Sequence, residues 1–335
     1  MIIDKSLSII VPVYNSENTI EECLLKIIDE VKKIKIKKLE IIAVDDNSKD
    51  NTNNIIKKFK EIKLIKLKQN KGVGYARNVG ARLAKNEILC YIDSDLIISE
   101  NSIISLLKKL LENNNIGSVG AIPILPNLNL KQWSSNFVAL KSLYGFRDKK
   151  NEYSVSEVQS EFFVIYKDFL RKIGGWKFYK NAGGEEYELG YRIILSKKKN
   201  LKIRDATYTT YWDNLYNRLK KIIDRSEKYL SIFLKKKKLE TSESFASLNQ
   251  ALSAISTTGM ILIFILTLFI DQFSFFNIII FCFFFQILLE FKFLLYAKKI
   301  YGLKMLLYSF FGIQIINIGI LLGGFLFLFK FLKVK

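Results

Sequence analysis

Residues 87–96, EILCYIDSDL, decide the fold. An apolar run, Ile88 to Ile92, ends in two carboxylates, Asp93 and Asp95, with Ser94 between them. A short β-rich run bounded by polar residues predicts a buried strand. The two carboxylates then sit at its C-terminal end, where open α/β sheets gather their ligands. Two hard oxygen donors in that place suit Mg²⁺ or Mn²⁺ holding a diphosphate. The competing reading is a solvated turn.

Upstream, the pattern alternates. Residues 7–13 read as a buried strand, 16–35 as an amphipathic helix, 39–44 as a strand, 52–61 as a helix, 62–67 as a strand, and 75–85 as a helix. Downstream come a helix over 102–112, a strand over 119–124, a strand over 161–166, a short helix over 169–173, a helix over 185–195 and a strand over 202–208. Residues 126–156 show no clear period and are expected to form a substrate loop. Strand–helix alternation predicts parallel strands joined by right-handed crossovers, a doubly wound, Rossmann-like α/β sheet.

The formal charge is +20, and Lys dominates it. No nucleic-acid motif accompanies that charge, so a membrane surface and a phosphorylated substrate are the expected partners. There is no histidine, which excludes His triads, His metal ligands and a His base. Cys23, Cys90 and Cys282 are too few and too far apart for a disulfide framework or a zinc site. No signal-peptide pattern opens the chain.

Residues 214–238 read as an amphipathic helix, with Leu215, Leu219, Ile222, Ile223, Leu230 and Phe233 as its apolar stripe. It is expected to lie in a headgroup layer. Its alternative is a surface helix packed on the domain. Three apolar segments follow, at 251–270, 273–289 (running on to about 297) and 305–329, with Asp271-Gln272 as a tight turn between the first two. Their lengths predict two to three membrane spans. The predicted division is 1–213, catalytic; 214–250, interfacial helix and linker; 251–335, membrane. Lys298, Lys299 and Lys304 between the later segments place the catalytic domain in the cytoplasm, although a third span would put Lys330, Lys333 and Lys335 outside. Glu290 is an acid inside a span, either functional or paired with Lys292.

Five blocks carry a resemblance: SIIVPVYN (8–15), VDDNSKDNT (44–52), NKGVGYARNVG (70–80), the Asp93-Ser94-Asp95 strand, and GGW (174–176) followed by GEEYELGYR (184–192). In this order they resemble the family-2 glycosyltransferases of the GT-A fold. The resemblance implies a metal-dependent transfer from a nucleotide-sugar donor, with Mn²⁺ or Mg²⁺ as cofactor. It assigns the donor site to Pro12, Val13, Tyr14, Asn15, Glu17, Asp45, Asp46, Lys71, Gly72, Arg77 and Asp93. The metal falls to Asp95, with Asp93 nearer the sugar or ribose.

Each block also has a reading of its own. Asp45 or Asp46 accepts an N–H of the base, or forms an Asx-turn. Lys71 and Arg77 offset diphosphate charge, or are solvated. Gly72 and Gly74 permit close backbone approach. Gly174, Gly175 and Trp176 line the acceptor pocket, or Trp176 is core. The family usually carries Glu-Asp where this chain has Glu185-Glu186, which puts Glu186 at the position of the general base. The rival is an acid capping a helix N-terminus. The family's later His ligand is missing, so water, phosphate oxygens or a residue among 208–213 must complete the metal shell. With the apolar segments, the resemblance implies a membrane-anchored inverting glycosyltransferase with a lipid or lipid-linked acceptor. The alternatives are a polyprenyl-phosphate sugar transferase and a silent nucleotide-sugar-binding scaffold.

Overall fold

Alternation along two neighbouring strands builds the sheet. β1 (Ile2–Val13) sends Leu7, Ile9, Val11 and Val13 to one face and Ile10 to the other. β4 (Ile88–Ile92) sends Ile88, Cys90 and Ile92 to the first face and Leu89 and Tyr91 to the second. Both strands read as apolar runs because helices cover both faces. α1 (Ile20–Lys32), α2 (Thr52–Ile56) and α4 (Ser102–Glu112) contribute to the first core. α3 (Val73–Leu83), α6 (Lys167–Lys172) and α7 (Glu185–Leu195) contribute to the second.

β1 is parallel to β2 (Lys35–Asp45) on one side and to β4 on the other, and β2 is parallel to β3 (Ile62–Lys66). The chain leaves β1 in one direction through β2 and β3, then returns to its other side as β4. That reversal is the switch point, and a crevice opens there at the C-terminal ends of the strands. Beyond β4 the sheet is mixed. β8 (Phe162–Tyr166) is antiparallel to β4 and to β6 (Ile116–Pro123). β9 (Lys199–Thr210) is parallel to β6, and both β5 (Leu96–Ile98) and β7 (Glu152–Val155) run antiparallel to β9. The expected all-parallel sheet therefore holds for four strands. The chain reaches β8 by an excursion containing α5 (Trp133–Leu143), not by a crossover helix, and enters from the opposite end.

The computed structural model describes residues 2–125, 132–146, 150–177, 184–236, 248–267 and 274–333. These fall into two compact units, Met1–Pro126 with Asp148–Tyr211, and Asn127–Arg147 with Trp212–Lys335. The boundary expected at 213 lies close to the second cut. The excursion, however, groups with the C-terminal unit and not with the sheet.

That second unit holds α5, α8 (Leu215–Lys236), α9 (Leu248–Thr267) and α10 (Ser274–Lys333). α10 breaks at Gly302, whose φ of 80° favours glycine. The break falls where the sequence separates its second and third apolar segments. Residues Asn277–Lys330 are long and apolar enough to cross a membrane, and Leu252–Leu266 forms a shorter apolar helix. The expected turn at Asp271-Gln272 lies outside the described residues.

α8 is not a bare interfacial helix. Leu219 and Ile222 press on Gly319, and the backbone of Ile223 on Gly323, a small-xxx-small face of α10 that lets the two helices approach closely. Glu290 pairs with Lys141 of α5 at 2.7 Å, not with Lys292. Ser253, Thr257, Gln286, Gln314 and Asn317 hydrogen-bond one another inside the bundle.

Candidate active site

The C-terminal ends of β1, β2 and β4 lie side by side at one edge of the sheet, with the N-terminal end of β8 beside them. On the β2 side the acids are tied down. Asp45 is fully buried; one oxygen accepts the Ser48 N–H at 3.0 Å and the Ser48 hydroxyl, the other the Asn53 amide at 2.9 Å. This is the Asx-turn alternative, and it removes Asp45 as an open acceptor for a base. Asp46 accepts the N–H groups of Lys71 and Gly72 at 2.8 and 2.7 Å, fixing the loop that starts α3. Burial raises its pKa, and those two N–H groups oppose the rise. Gly72 has φ 88°, which the turn into α3 requires.

Across the crevice, Tyr14 is half-exposed at the end of β1 beyond Pro12 and Val13. Asn15 takes a positive φ of 47°, donates its N–H to the Ser48 hydroxyl and accepts the Lys49 N–H. The Glu17 carboxylate accepts the Asn51 N–H at 2.9 Å. Together these contacts sew the first loop to the second. The Lys71 ammonium lies 4.7 Å from the Tyr75 ring centroid, above a partly exposed face.

Asp93 continues the alternation of Leu89 and Tyr91, which places it on the α3 and α7 side. Arg77 waits there, 2% exposed, its Nη2 donating to both Asp93 oxygens at 2.8 and 3.1 Å. Burial pushes Asp93 up to about 7; Arg77 pulls against that, while Asp95 and Glu161 add to it. The same guanidinium reaches α7, with Nη1 3.9 Å from a Glu185 oxygen. Arg77 was expected at the diphosphate; the structure commits it to these two acids instead. Glu186, next along α7, is partly exposed, and its backbone carbonyl accepts the Val158 N–H.

Trp176 is core. It is 3% exposed, packs edge-on against Tyr91 and Phe163 with centroids 5.8 Å apart, and covers the Arg77 guanidinium at 4.7 Å. Among the described residues its ring faces the core. Gly174 and Gly175, with φ of 89° and 66°, turn the chain into it.

Several site residues were not singled out by the sequence. Asn78 clamps the turn, donating to the Trp176 carbonyl at 2.7 Å and accepting its N–H at 2.9 Å. The residue lies inside the 70–80 block, so a signal was there. Arg192 donates to the carbonyls of Ile173 and Gly175 and pairs with Glu188. Glu161 stands across from Asp93, whose N–H its carbonyl accepts, and its carboxylate takes the hydroxyl of buried Tyr208. Nothing local in the sequence marks Glu161, because strand pairing puts it there.

Among the described residues no three His, Cys, Asp or Glu side chains converge on a metal position. Asp95 is exposed just past the end of β4, and Mg²⁺ is usually held by one or two carboxylates together with substrate phosphate oxygens, so it is the accessible carboxylate there for such an ion.

The first of the two units thus has the crevice, acids and basic loop expected of a nucleotide-sugar enzyme. Residues 8–174 match the family model of glycosyl transferase family 2. The uncharacterised protein MJ0544 of Methanocaldococcus jannaschii is 31% identical over 239 residues, 67% of this chain and 98% of that protein. The chain belongs to glycosyltransferase family 2. Other relatives of this glycosyltransferase are matched over a smaller share of their length. The minor teichoic acid biosynthesis protein GgaB of Bacillus subtilis is 30% identical over 60% of this chain, which spans 22% of GgaB. The glycosyltransferase GlyG of Streptococcus pneumoniae is 27% identical over 52% of this chain and 53% of its own. Among solved structures, the mannosyltransferase PcManGT from Pyrobaculum calidifontis, in complex with GDP-Man and Mn²⁺, has a TM-score of 0.57 at 14% identity, covering 98% of this chain and 88% of that one. At that identity the likeness is one of fold, GT-A.

Proposed function

We propose that this family-2 glycosyltransferase is membrane-anchored and inverting, and moves a sugar from a nucleoside diphosphate donor to a hydroxyl of a lipid-linked or glycan acceptor. The carrying observation is that one buried guanidinium meets both Asp93, at the donor strand, and Glu185, at the start of the helix bearing Glu186. That shared neighbour supports the reading that donor-side and acceptor-side acids work at one site.

In this reading Glu186 takes the proton from the acceptor hydroxyl as that oxygen bonds to the anomeric carbon. The bond from that carbon to the diphosphate oxygen breaks in the same step, and the nucleoside diphosphate leaves. Asp46 holds the loop of Lys71 and Gly72 against the donor. Lys71 offers a mobile ammonium to the phosphates. Asp95, with Asp93, would hold Mn²⁺ or Mg²⁺, which supplies Lewis acidity to the leaving diphosphate. The Mn²⁺ and GDP-Man in the PcManGT complex support this cofactor and donor class. Membrane anchoring is supported by α10, which exposes Phe281, Leu288, Phe325 and Leu332, each by about 70%, a surface unlike that of a soluble monomer. Lys298, Lys299 and Lys304 between the later apolar segments support a cytoplasmic catalytic domain on a multi-pass anchor.

The test is donor turnover by detergent-solubilised protein with UDP- and GDP-sugars and Mn²⁺. Glu186→Gln should keep donor binding and lose about 10²- to 10⁴-fold in transfer. Full turnover in that variant removes Glu186 from its role. Asp95→Ala should abolish the Mn²⁺ dependence.

A further inference from the structure

Burying a guanidinium is costly unless its N–H groups find acceptors. In Arg77 only Nη2 does, at Asp93. Nε and Nη1 have no acceptor among the described residues. The Trp176 ring seals one side of the group. Nη1 faces Glu185 at 3.9 Å, and that carboxylate is 7% exposed. This is ion-pair range but too long for a hydrogen bond. One half of the bridge is closed, at Asp93, and the other is open by about 1 Å.

We propose that Arg77 is a positioning residue: it ties the acid at the end of β4 to the first turn of α7 and so sets where Glu186 stands relative to the donor. The inference rests on Glu186 being the base. Arg77 does not touch the donor, because Asp93 and Trp176 lie around it and 2% of its side chain is exposed. The Glu185 contact is the adjustable half. Closing it gives Nη1 a charge-assisted hydrogen bond and carries the neighbouring Glu186 with it. The α3 side cannot give way to the same degree. Asn78, the next residue, is clamped to Trp176, and Gly80 lies directly against Ile10 of β1. Lysine cannot replace the bridge, since its point charge lacks the fork that serves two acids at once.

A donor ligand and a positioning residue fail in opposite ways, so the experiment separates them. Wild-type protein is compared with Arg77→Lys, Arg77→Gln, Glu185→Met and the Arg77→Gln/Glu185→Met double variant. Turnover is read as hydrolysis of UDP- and GDP-sugars with Mn²⁺, and donor affinity by equilibrium binding of the same compounds. Positioning predicts a kcat lower by about 100-fold with donor Kd unchanged. Arg77→Lys should not rescue it. The double variant should be no slower than the slower single one, because both cut the same tie.

Weakened donor binding with kcat intact would make Arg77 a donor ligand and overturn the proposal. So would full kcat in Glu185→Met. Should Arg77→Gln fail to fold, Glu185→Met decides alone, because it leaves the Arg77–Asp93 pair in place. Full turnover in Glu186→Gln would defeat the base assignment and this inference together. Full turnover in Glu185→Met defeats only the tie.

Discussion

Asn78 does with one side chain what a strand does with its backbone: it gives and takes a hydrogen bond with the same peptide group, that of Trp176. Asn78→Ala leaves both groups without their partner and should cost about 2–3 kcal/mol in urea unfolding. Asn78→Asp, which can only accept, should recover part of that. A second pair makes a pH prediction. Glu157 is held below its ordinary pKa, against its own burial, by Lys202 at 3.0 Å, and Lys202 is itself 3% exposed. An acid with a depressed folded-state pKa stabilises fully above its unfolded value and loses that contribution as pH falls through the folded one. Glu157→Gln should therefore cost about 3 kcal/mol near pH 7. The gap between wild type and variant should close progressively below about pH 4.5, as measured by denaturant midpoints across pH. Neither pair was visible in the sequence. Glu157 lies between a stretch without period and the next strand, and Lys202 in a strand assigned only by its apolar neighbours. Their partners are 98 and 45 residues away, respectively, and only the folded sheet brings them together.

Segment 156–161 has no regular structure, yet it joins the two halves of the site. Val158 donates to the carbonyl of Glu186 on α7, and the carbonyl of Glu161 accepts from Asp93 at the end of β4. Gly190 is the reason α7 can lie against it: a Cβ there would run into the backbone of Ser156 and Glu157. Gly190→Ala should lower stability by about 1–3 kcal/mol. It should also reduce donor turnover more than donor binding, because the displaced element carries Glu186. Thermal unfolding together with hydrolysis rates would check both. Elements with a strong period were legible. α4 and α7 occupy the residues the pattern predicts, and the sequence break between apolar segments coincides with Gly302. Elements formed by pairing were not. β5 is three residues long and β7 four, each too short to show a period, and each exists because β9 offers an edge. α5 escaped for a different reason: its polar residues, Ser134, Ser135, Asn136, Lys141 and Ser142, are spread around the helix, so no single polar face marks it. Trp176 stayed open between pocket and core because its glycines signal a turn without saying which way the ring points, and the turn they make points it inward.

The two units interleave in sequence, since residues 127–147 sit between β6 and β7 but belong with the C-terminal helices. There Trp133 stacks on Tyr308 at 5.0 Å, Phe137 meets Phe293 at 6.2 Å and packs on Gly312, and Lys141 pairs with Glu290. A chain cut after Tyr211 keeps every strand of the sheet but strips α5 of these partners, leaving Phe137 and Leu140 uncovered. Such a fragment should aggregate, whereas one that also replaces 127–147 by a short polar linker should stay monomeric in size-exclusion chromatography. The apolar C-terminal region was legible as a composition shift; its reach back into the catalytic sequence was not, because a single helix carries no mark of what it will pack on. That interleaving sets a clock during synthesis. Lys141 is made 149 positions before Glu290, which at ribosomal speeds is a wait of roughly 7–30 s. Throughout that interval a greasy helix with one cation protrudes from a nascent chain whose natural cover has not yet been translated, so a bilayer or a chaperone must shelter it until its mate arrives.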